Sequence, residues 1–360
     1  MREVGLRELA FGRPSPDRVA LLSIWFHGHN NPRYAELLPR LERLDACLLR
    51  LPDRRVPRGL GFRAFVHGRP LLLPGVFRAA GRRYVNLLAL DFEQLPRWPG
   101  AAVMDADDPM FTPRELETMR SPSLRAYVVT AESAARRYES LGVDKPWVVI
   151  PQGVDLAAAT PELRAEAAAA KRSGEAVLGW MAAHLLTEGD RGAENPLYNV
   201  DHLLELWAGI HERVPGARLW LVGEASDRVR ARLAGRDDVV LFGRLPRDRA
   251  LATASCFDVA PYARTADQGI RAAKVSELIG LGVPVVSYDY EVTANVREAG
   301  AGILVRDAAS FVDAAARLLE SAETRAGYAE AALRAGRELD WDVLARRFER
   351  EVLDAYLPDS

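Results

Sequence analysis

The chain has 360 residues, 49% hydrophobic and 27% charged, so it is long enough for two domains and holds enough apolar surface to give each a core. No apolar run approaches the ~20 residues of a membrane helix, and the first ten residues carry Arg2, Glu3, Arg7 and Glu8 where a signal peptide needs an apolar stretch. Only Cys47 and Cys256 occur, which excludes a disulfide framework and a cysteine-rich metal site; a cytoplasmic protein is expected.

The net charge of −2 hides an asymmetry, since residues 1–155 hold 23 Lys and Arg against 18 Asp and Glu while the remainder holds 25 against 32. Nine arginines between Arg50 and Arg83 face a single acid, Asp53. Such a segment suits an anionic or lipid-linked acceptor, or peripheral contact with the inner face of an acidic membrane; an arginine-rich solvated face is the plainer alternative. No nucleic-acid partner is expected. Arginine outnumbers lysine 45 to 3, a compositional bias against which Lys145, Lys171 and Lys274 stand out.

In chain order, an apolar run from Val19 to Trp25 predicts a first strand, followed by the loop His27, Gly28, His29, Asn30, Asn31 and a helix from Tyr34 to Leu44. Strands are predicted at Tyr84–Leu90, Ala101–Met104, Tyr127–Val129 and Trp147–Ile150, with a helix over Pro109–Met119 that one of Asp105, Asp107 and Asp108 caps. The Ala-rich stretch Leu156–Arg172 reads as a connecting helix, and a domain boundary is placed after residue 155. The second half repeats the alternation: strand Ala176–Met181, helix Val200–Arg213, strand Arg218–Val222, helix Ser226–Ala234, then strands at Val239–Phe242 and Val259–Ala260. Helix Ile270–Leu281 and strand Val283–Ser287 follow, and the tail from Ala308 to Leu357 is helical by periodicity. Alternating strands and helices predict an α/β architecture of two doubly wound parallel sheets.

The stretch from Phe257 to Val286 is the most specific. A strand ends there, a polar Gly-bearing loop follows, and a helix begins with its amides directed at whatever anion lies ahead, a natural pyrophosphate site. Lys274 and Glu277 share one helical face, and a cation beside a carboxylate suits a phosphate and a ribose diol; an ordinary surface ion pair is the bland alternative.

This strand-loop-helix, with Lys-x-x-Glu ahead of Gly282-Val283-Pro284-Val285-Val286, resembles the retaining glycosyltransferases of family four, the group 1 glycosyl transferases. Val129–Ser133 with Ile150–Asp155 is similar to that family's domain-closing segment, and Leu221–Glu224 with Leu241–Leu245 to its nucleotide-contacting loops. The resemblance implies a GT-B fold in which domain 1–155 takes the acceptor, domain 156–340 takes the nucleotide-sugar across a cleft, and residues 341–360 form a helix crossing back to the first domain. It implies transfer of a sugar from a UDP- or GDP-sugar, with retention and without metal or other cofactor. Lys274 would hold the diphosphate and act catalytically, and Glu277 would hold the ribose. The backbone at Gly243, Arg244 and Leu245 would edge the base, Glu224 would belong to the donor site, Asp267, Gln268, Gly269 and Ile270 would line the sugar, and His184 would sit near the phosphates. His27 to Asn31 would border the acceptor, with His27 and Asp107 as catalytic contacts.

Two departures stand out. Gly269 occupies the first position of the family's paired glutamates, with Asp267 the nearest acid, and basic residues after the first strand of the second half are missing apart from His184 and Arg191. A catalytically silent nucleotide-sugar binding subunit and a sugar phosphorylase are therefore the competing readings. His27-x-His29 without a paired acid or cysteine does not make a metal site. No G-x-G-x-x-G follows either first strand, which argues against a dehydrogenase.

Overall fold

The computed structural model describes residues 2–4, 19–22, 32–42, 47–49, 86–89, 101–193, 199–264 and 272–357. It divides into two compact units, Met1–Pro151 with Trp341–Ser360, and Gln152–Asp340. The sequence reading placed the boundary a little later, after residue 155.

The first unit is built on a parallel sheet of seven strands. These are β1 Arg2–Val4, β2 Val19–Leu22, β3 Cys47–Leu49, β4 Asn86–Ala89, β5 Ala101–Ala106, β6 Leu124–Val129 and β7 Trp147–Val149, in the spatial order β1-β3-β2-β4-β5-β6-β7. Apart from Asp105 and Arg125, β5 and β6 are apolar and mostly buried, as strands with both faces covered are; Met104 pairs with Tyr127 and Asp105 with Val128. Helix α1 spans Pro32–Leu37 and tightens into a 3-10 turn at Leu38–Arg40, shorter than the run to Leu44 expected from periodicity. Pro39 accounts for the difference, since it has no amide to donate and restricts the residue before it. Helix α2 starts at Pro113, not Pro109, and its cap is Thr112 instead of one of the aspartates. The Thr112 hydroxyl accepts from the Glu115 amide at 3.2 Å while the Glu115 carboxylate accepts from the Thr112 amide at 3.3 Å. Helix α3, Glu132–Ser140, links β6 to β7.

The end of the chain completes this core. Trp341, Leu344, Phe348, Val352 and Leu357 of the terminal helical segment cluster with Leu37, Val103, Val128 and Ile150. Burying Trp341 and Phe348, each of which would cost about 3–5 kcal/mol to truncate, ties the last residues to the first unit.

The second unit opens with helix α4, Pro161–Ala168, well short of the Leu156–Arg172 span expected. Thr160 caps it at the Leu163 amide and Pro161 occupies its first turn, so the helix cannot extend backwards into the Ala-rich run. There follow β8 Ala176–Leu185, α5 Asp201–Arg213, β9 Ala217–Ala225, α6 Asp227–Leu233, β10 Val239–Gly243, α7 Arg247–Ala254 and β11 Ala260–Tyr262. Then come α8 Ala273–Gly280, β12 Val285–Tyr288, α9 Ala294–Ala299, β13 Gly302–Val305, α10 Ala308–Glu320 and α11 Ala322–Arg337. The tail read as one helical stretch is broken at Ser321, which caps the Thr324 amide, and again before Trp341.

Parallel sheets β10-β9-β8 and β11-β12-β13 join where Leu178 bridges Val259, the Gly179 amide donating to the Val259 carbonyl at 2.9 Å. A glycine is required at 179, because a Cβ there would fall inside the Phe257 ring. β8 runs on past Met181 to Leu185 through a bulge between Met181 and His184, made room for by Gly223, at φ +150, whose Cβ position is occupied by the Ala182 carbonyl.

Candidate functional site

In the second unit, β8 is the first strand of the sheet, with β9 and β10 on one side and β11, β12 and β13 on the other. Strand order reverses between β8 and β11, and ligands of open parallel sheets sit beyond the carboxyl ends of the strands at such a point. The residues there come from the end of β8, from Ala263 and Arg264 just past β11, and from the start of α8. Helices α4, α6, α10 and α11 are capped by Thr160, Ser226, Asp307 and Ser321. By contrast α8 has Ala272 at its N-cap, makes no side-chain cap bond and carries no acid in its first turn. Its positive end thus faces the switch point with no capping side chain among the described residues.

Lys274 lies in that first turn. Its Nζ sits 4.3 Å from the centroid of the Trp180 ring, which β8 supplies from below. It makes no ion pair with Glu277, so the surface-pair alternative does not describe this lysine. Glu277 instead receives Arg247, Nη2 to Oε1 at 2.8 Å, with the carboxylate largely buried. Loss of water around Lys274 is the main influence on its ammonium; Glu277 opposes it, nearby Arg264 adds repulsion, and the pKa is pushed down to about 7 from an ordinary 10.5. Arg264 is 4% exposed, its guanidinium carbon 5.8 Å from the Tyr262 ring centroid. Tyr262 and Trp180 are themselves in contact, their centroids 5.8 Å apart at 42°.

The other donor-side candidates form a separate and looser group. His184 Nδ1 lies 4.0 Å from Glu224 Oε2, and Arg244 Nη1 lies 3.8 Å from the same oxygen, all three well exposed. Gly243 ends β10 at φ +70 with no atom within 4 Å of where a Cβ would stand, and Leu245 is half-buried. Arg247 follows two residues later, so this loop reaches Glu277 through it. Asp267, Gln268, Gly269 and Ile270 lie outside the described residues, as do His27, Gly28, His29, Asn30 and Asn31 and the basic segment Arg50–Arg83.

In the first unit Asp105 is committed to the fold. Arg33 grips it through Nε to Oδ2 at 2.9 Å and Nη2 to Oδ1 at 3.1 Å, and donates through Nη1 to the carbonyls of Ile150 and Pro151 at 3.1 and 3.0 Å. Burial pushes the Asp105 carboxyl above its usual range, with Arg33 opposing. That leaves Asp107, half-buried at the bend after β5, as the acid of this strand end nearest solvent apart from exposed Asp108. Trp180, Arg264, Arg247 and Arg33 were not singled out from sequence. Three are arginines in a chain with 45 of them, so only the packing distinguishes them.

Two parallel α/β units, with the terminal segment belonging to the first and an uncapped helix at the switch point of the second, define the fold as that of the GT-B glycosyltransferases. Residues 191–321, which include β9 to β13, Lys274 and Glu277, match the family model described as glycosyl transferases group 1. Among solved structures the chain is similar to WaaG, a glycosyltransferase involved in lipopolysaccharide biosynthesis, at 14% identity over 94% of this chain and 99% of that one, TM-score 0.62. It is also similar to Anabaena HepE in complex with UDP and glucose, at 15% identity over 93% and 99%, TM-score 0.66. Sucrose-phosphate synthase from Thermosynechococcus elongatus matches at 12% identity over 95% and 99%, TM-score 0.67. No curated protein sequence matches the chain.

Proposed function

We propose that this protein is a nucleotide-sugar-dependent hexosyltransferase that moves a sugar from a UDP- or GDP-sugar to an acceptor, with retention and without a metal. The observation that carries the reading is Lys274: a half-buried, largely desolvated ammonium, in ion pair with no carboxylate among the described residues, in the first turn of a helix with no side-chain cap at the switch point of a segment matching group 1 glycosyl transferases. A desolvated cation with no ion-pair partner among the described residues is costly, and a departing diphosphate would supply negative charge. Charge grows on that diphosphate as the glycosidic bond breaks, so Lys274 and the α8 amides act most strongly in the transition state. Glu277, ion-paired with Arg247, accepts from the ribose hydroxyls. Gly243, Arg244 and Leu245 edge the base with Glu224, His184 lies towards the phosphates, and Asp267 to Ile270 line the sugar. Asp107 and the His27–Asn31 loop serve the acceptor. The nine arginines of Arg50–Arg83 suit an anionic or lipid-linked acceptor at the inner membrane face; no described helix is long and apolar enough to cross a membrane. UDP complexes of HepE are consistent with a uridine donor.

Incubating the purified chain with a panel of UDP- and GDP-sugars tests the reading. Slow release of nucleotide from at least one donor is expected. Binding of a donor without release would make the protein a silent binding subunit, and turnover that needs inorganic phosphate but no nucleotide would make it a phosphorylase.

A further inference from the structure

We infer that Gly280 is a positioning residue for the donor site, through which Val154 and the two connections between the units set where α8 holds Lys274; this rests on the transferase reading. The chain enters the second unit at Gln152 and leaves it at Asp340. Just inside that unit the two connections are joined: Val154 bridges Asp340 in parallel, and its amide donates to the Leu339 carbonyl at 2.8 Å. Val154, 0% exposed, then meets the last residue of α8, for a Cβ added to Gly280 would stand 2.2 Å from Val154 Cγ1. α11 closes on the same residue. A Cβ added to Gly336 would stand 2.7 Å from the Gly280 Cα and 3.1 Å from its carbonyl oxygen.

Both glycines lie within helices, where propensity favours alanine, so the close contact and not helix formation accounts for them. α8 therefore begins with Lys274 in its first turn and ends about 9 Å further along its axis in a joint with no slack. A close-packed interior passes a displacement on instead of absorbing it. Relieving a 2.2 Å clash to ordinary carbon contact at ~3.5 Å needs about 1.3 Å of movement. Glu277, one turn before Gly280, moves with that end of the helix, and the same shift at the other end changes the seat of Lys274 Nζ, 4.3 Å over the Trp180 ring. An ångström of misplacement at a site can cost as much as ~100-fold. Coupling between two places is reciprocal, so strain on the connections bears on the donor helix, and occupation of the donor site bears on the connections.

Two measurements on the full chain test the assignment in wild type, Gly280→Ala and Gly280→Ala with Val154→Ala, the second substitution making room for the added methyl. One is calorimetric titration with UDP and GDP. The other, which needs no nucleotide, is the pH profile of Lys274 acetylation by limiting acetic anhydride, read by mass spectrometry. Gly280→Ala should weaken the nucleoside diphosphate that wild type binds by about tenfold or more and move the Lys274 profile; the double variant should return to within about threefold of wild-type affinity and regain the profile. A folded Gly280→Ala protein with wild-type affinity and profile, whatever its melting temperature, would make the glycine a matter of packing alone. A loss that Val154→Ala does not repair would take the connections out of the account; either result overturns the assignment. If Gly280→Ala does not fold, Val154→Ile, which crowds the same contact from the other side, decides alone: lower affinity with a moved profile supports the coupling, and no change overturns it. Should wild type bind neither nucleotide, the transferase reading fails and the Lys274 profile judges the coupling separately. A profile moved by Gly280→Ala and regained with Val154→Ala supports it, and one that does not move overturns it.

Discussion

Binding of a nucleoside diphosphate at pH 8 should draw a proton from the buffer onto Lys274. Burial, with the help of Arg264, brings this ammonium down to about 7, so at pH 8 only about one molecule in ten carries the charge in the empty protein. An anion placed beside it favours the charged form. A recovery of two pH units, which needs about 2.7 kcal/mol of interaction, brings the pKa to about 9 and the uptake to roughly 0.8 proton per ligand. Affinity should then fall by up to about tenfold per pH unit between pH 7 and 9, because the proton must be supplied together with the ligand. The terminal phosphate, with a pKa near 6, is already ionised at pH 8 and contributes little. Titration calorimetry in two buffers of different ionisation enthalpy reads the uptake directly, and Lys274→Met should abolish it. Binding by wild type with no buffer dependence and a flat affinity from pH 7 to 9 would refute the argument, since Lys274 would then hold one charge state throughout or lie away from the phosphates.

Without ligand the same shift acts on stability. Its folded pKa lies below its unfolded one, so between pH 7 and about 10 the unfolded chain keeps a proton that the folded chain has released, and unfolding takes one up. Wild type should therefore gain on Lys274→Met by about 1 kcal/mol per pH unit across that window; denaturation midpoints that run parallel would contradict it. Gly179→Ala drives a methyl into the Phe257 ring at the junction of β8 and β11. It should cost about 3 kcal/mol and lower the melting transition of the second unit by at least ~6 °C by calorimetry. Arg33→Met strands the buried Asp105 carboxyl. A loss of about 3–5 kcal/mol is expected, recovered in part by adding Asp105→Leu, as chemical denaturation would show.

Much of the second unit could be read directly, since its alternation of short apolar runs with amphipathic helices repeats what the sheet demands. Lys274 stood out because lysine is rare here and because Glu277 follows at helical spacing. What could not be read depended on partners far away in sequence. Arg33 acquires meaning from Asp105 and the carbonyls of Ile150 and Pro151, and Arg264 from the way Tyr262 and Trp180 meet across the joint between two sheets. Lys274 and Glu277 do share a helical face, yet each turns to a residue outside the helix, Trp180 and Arg247, so spacing alone suggested the wrong pairing. Other misreadings were local. Thr112 and Thr160, each followed by proline, start their helices where Asp and the Ala-rich run suggested an earlier beginning, because capping and proline geometry outweigh helix propensity. β8 extends beyond Met181 because a bulge opposite Gly223 absorbs an irregularity that no apolar count reveals.

Steady-state kinetics of donor consumption, wild type against Lys274→Ala with circular dichroism to confirm folding, tests the central claim most directly. If Lys274 stabilises the departing diphosphate, turnover should fall by about 100-fold or more while the Michaelis constant for donor rises much less. A correctly folded Lys274→Ala protein with wild-type turnover and wild-type donor affinity would place the chemistry elsewhere.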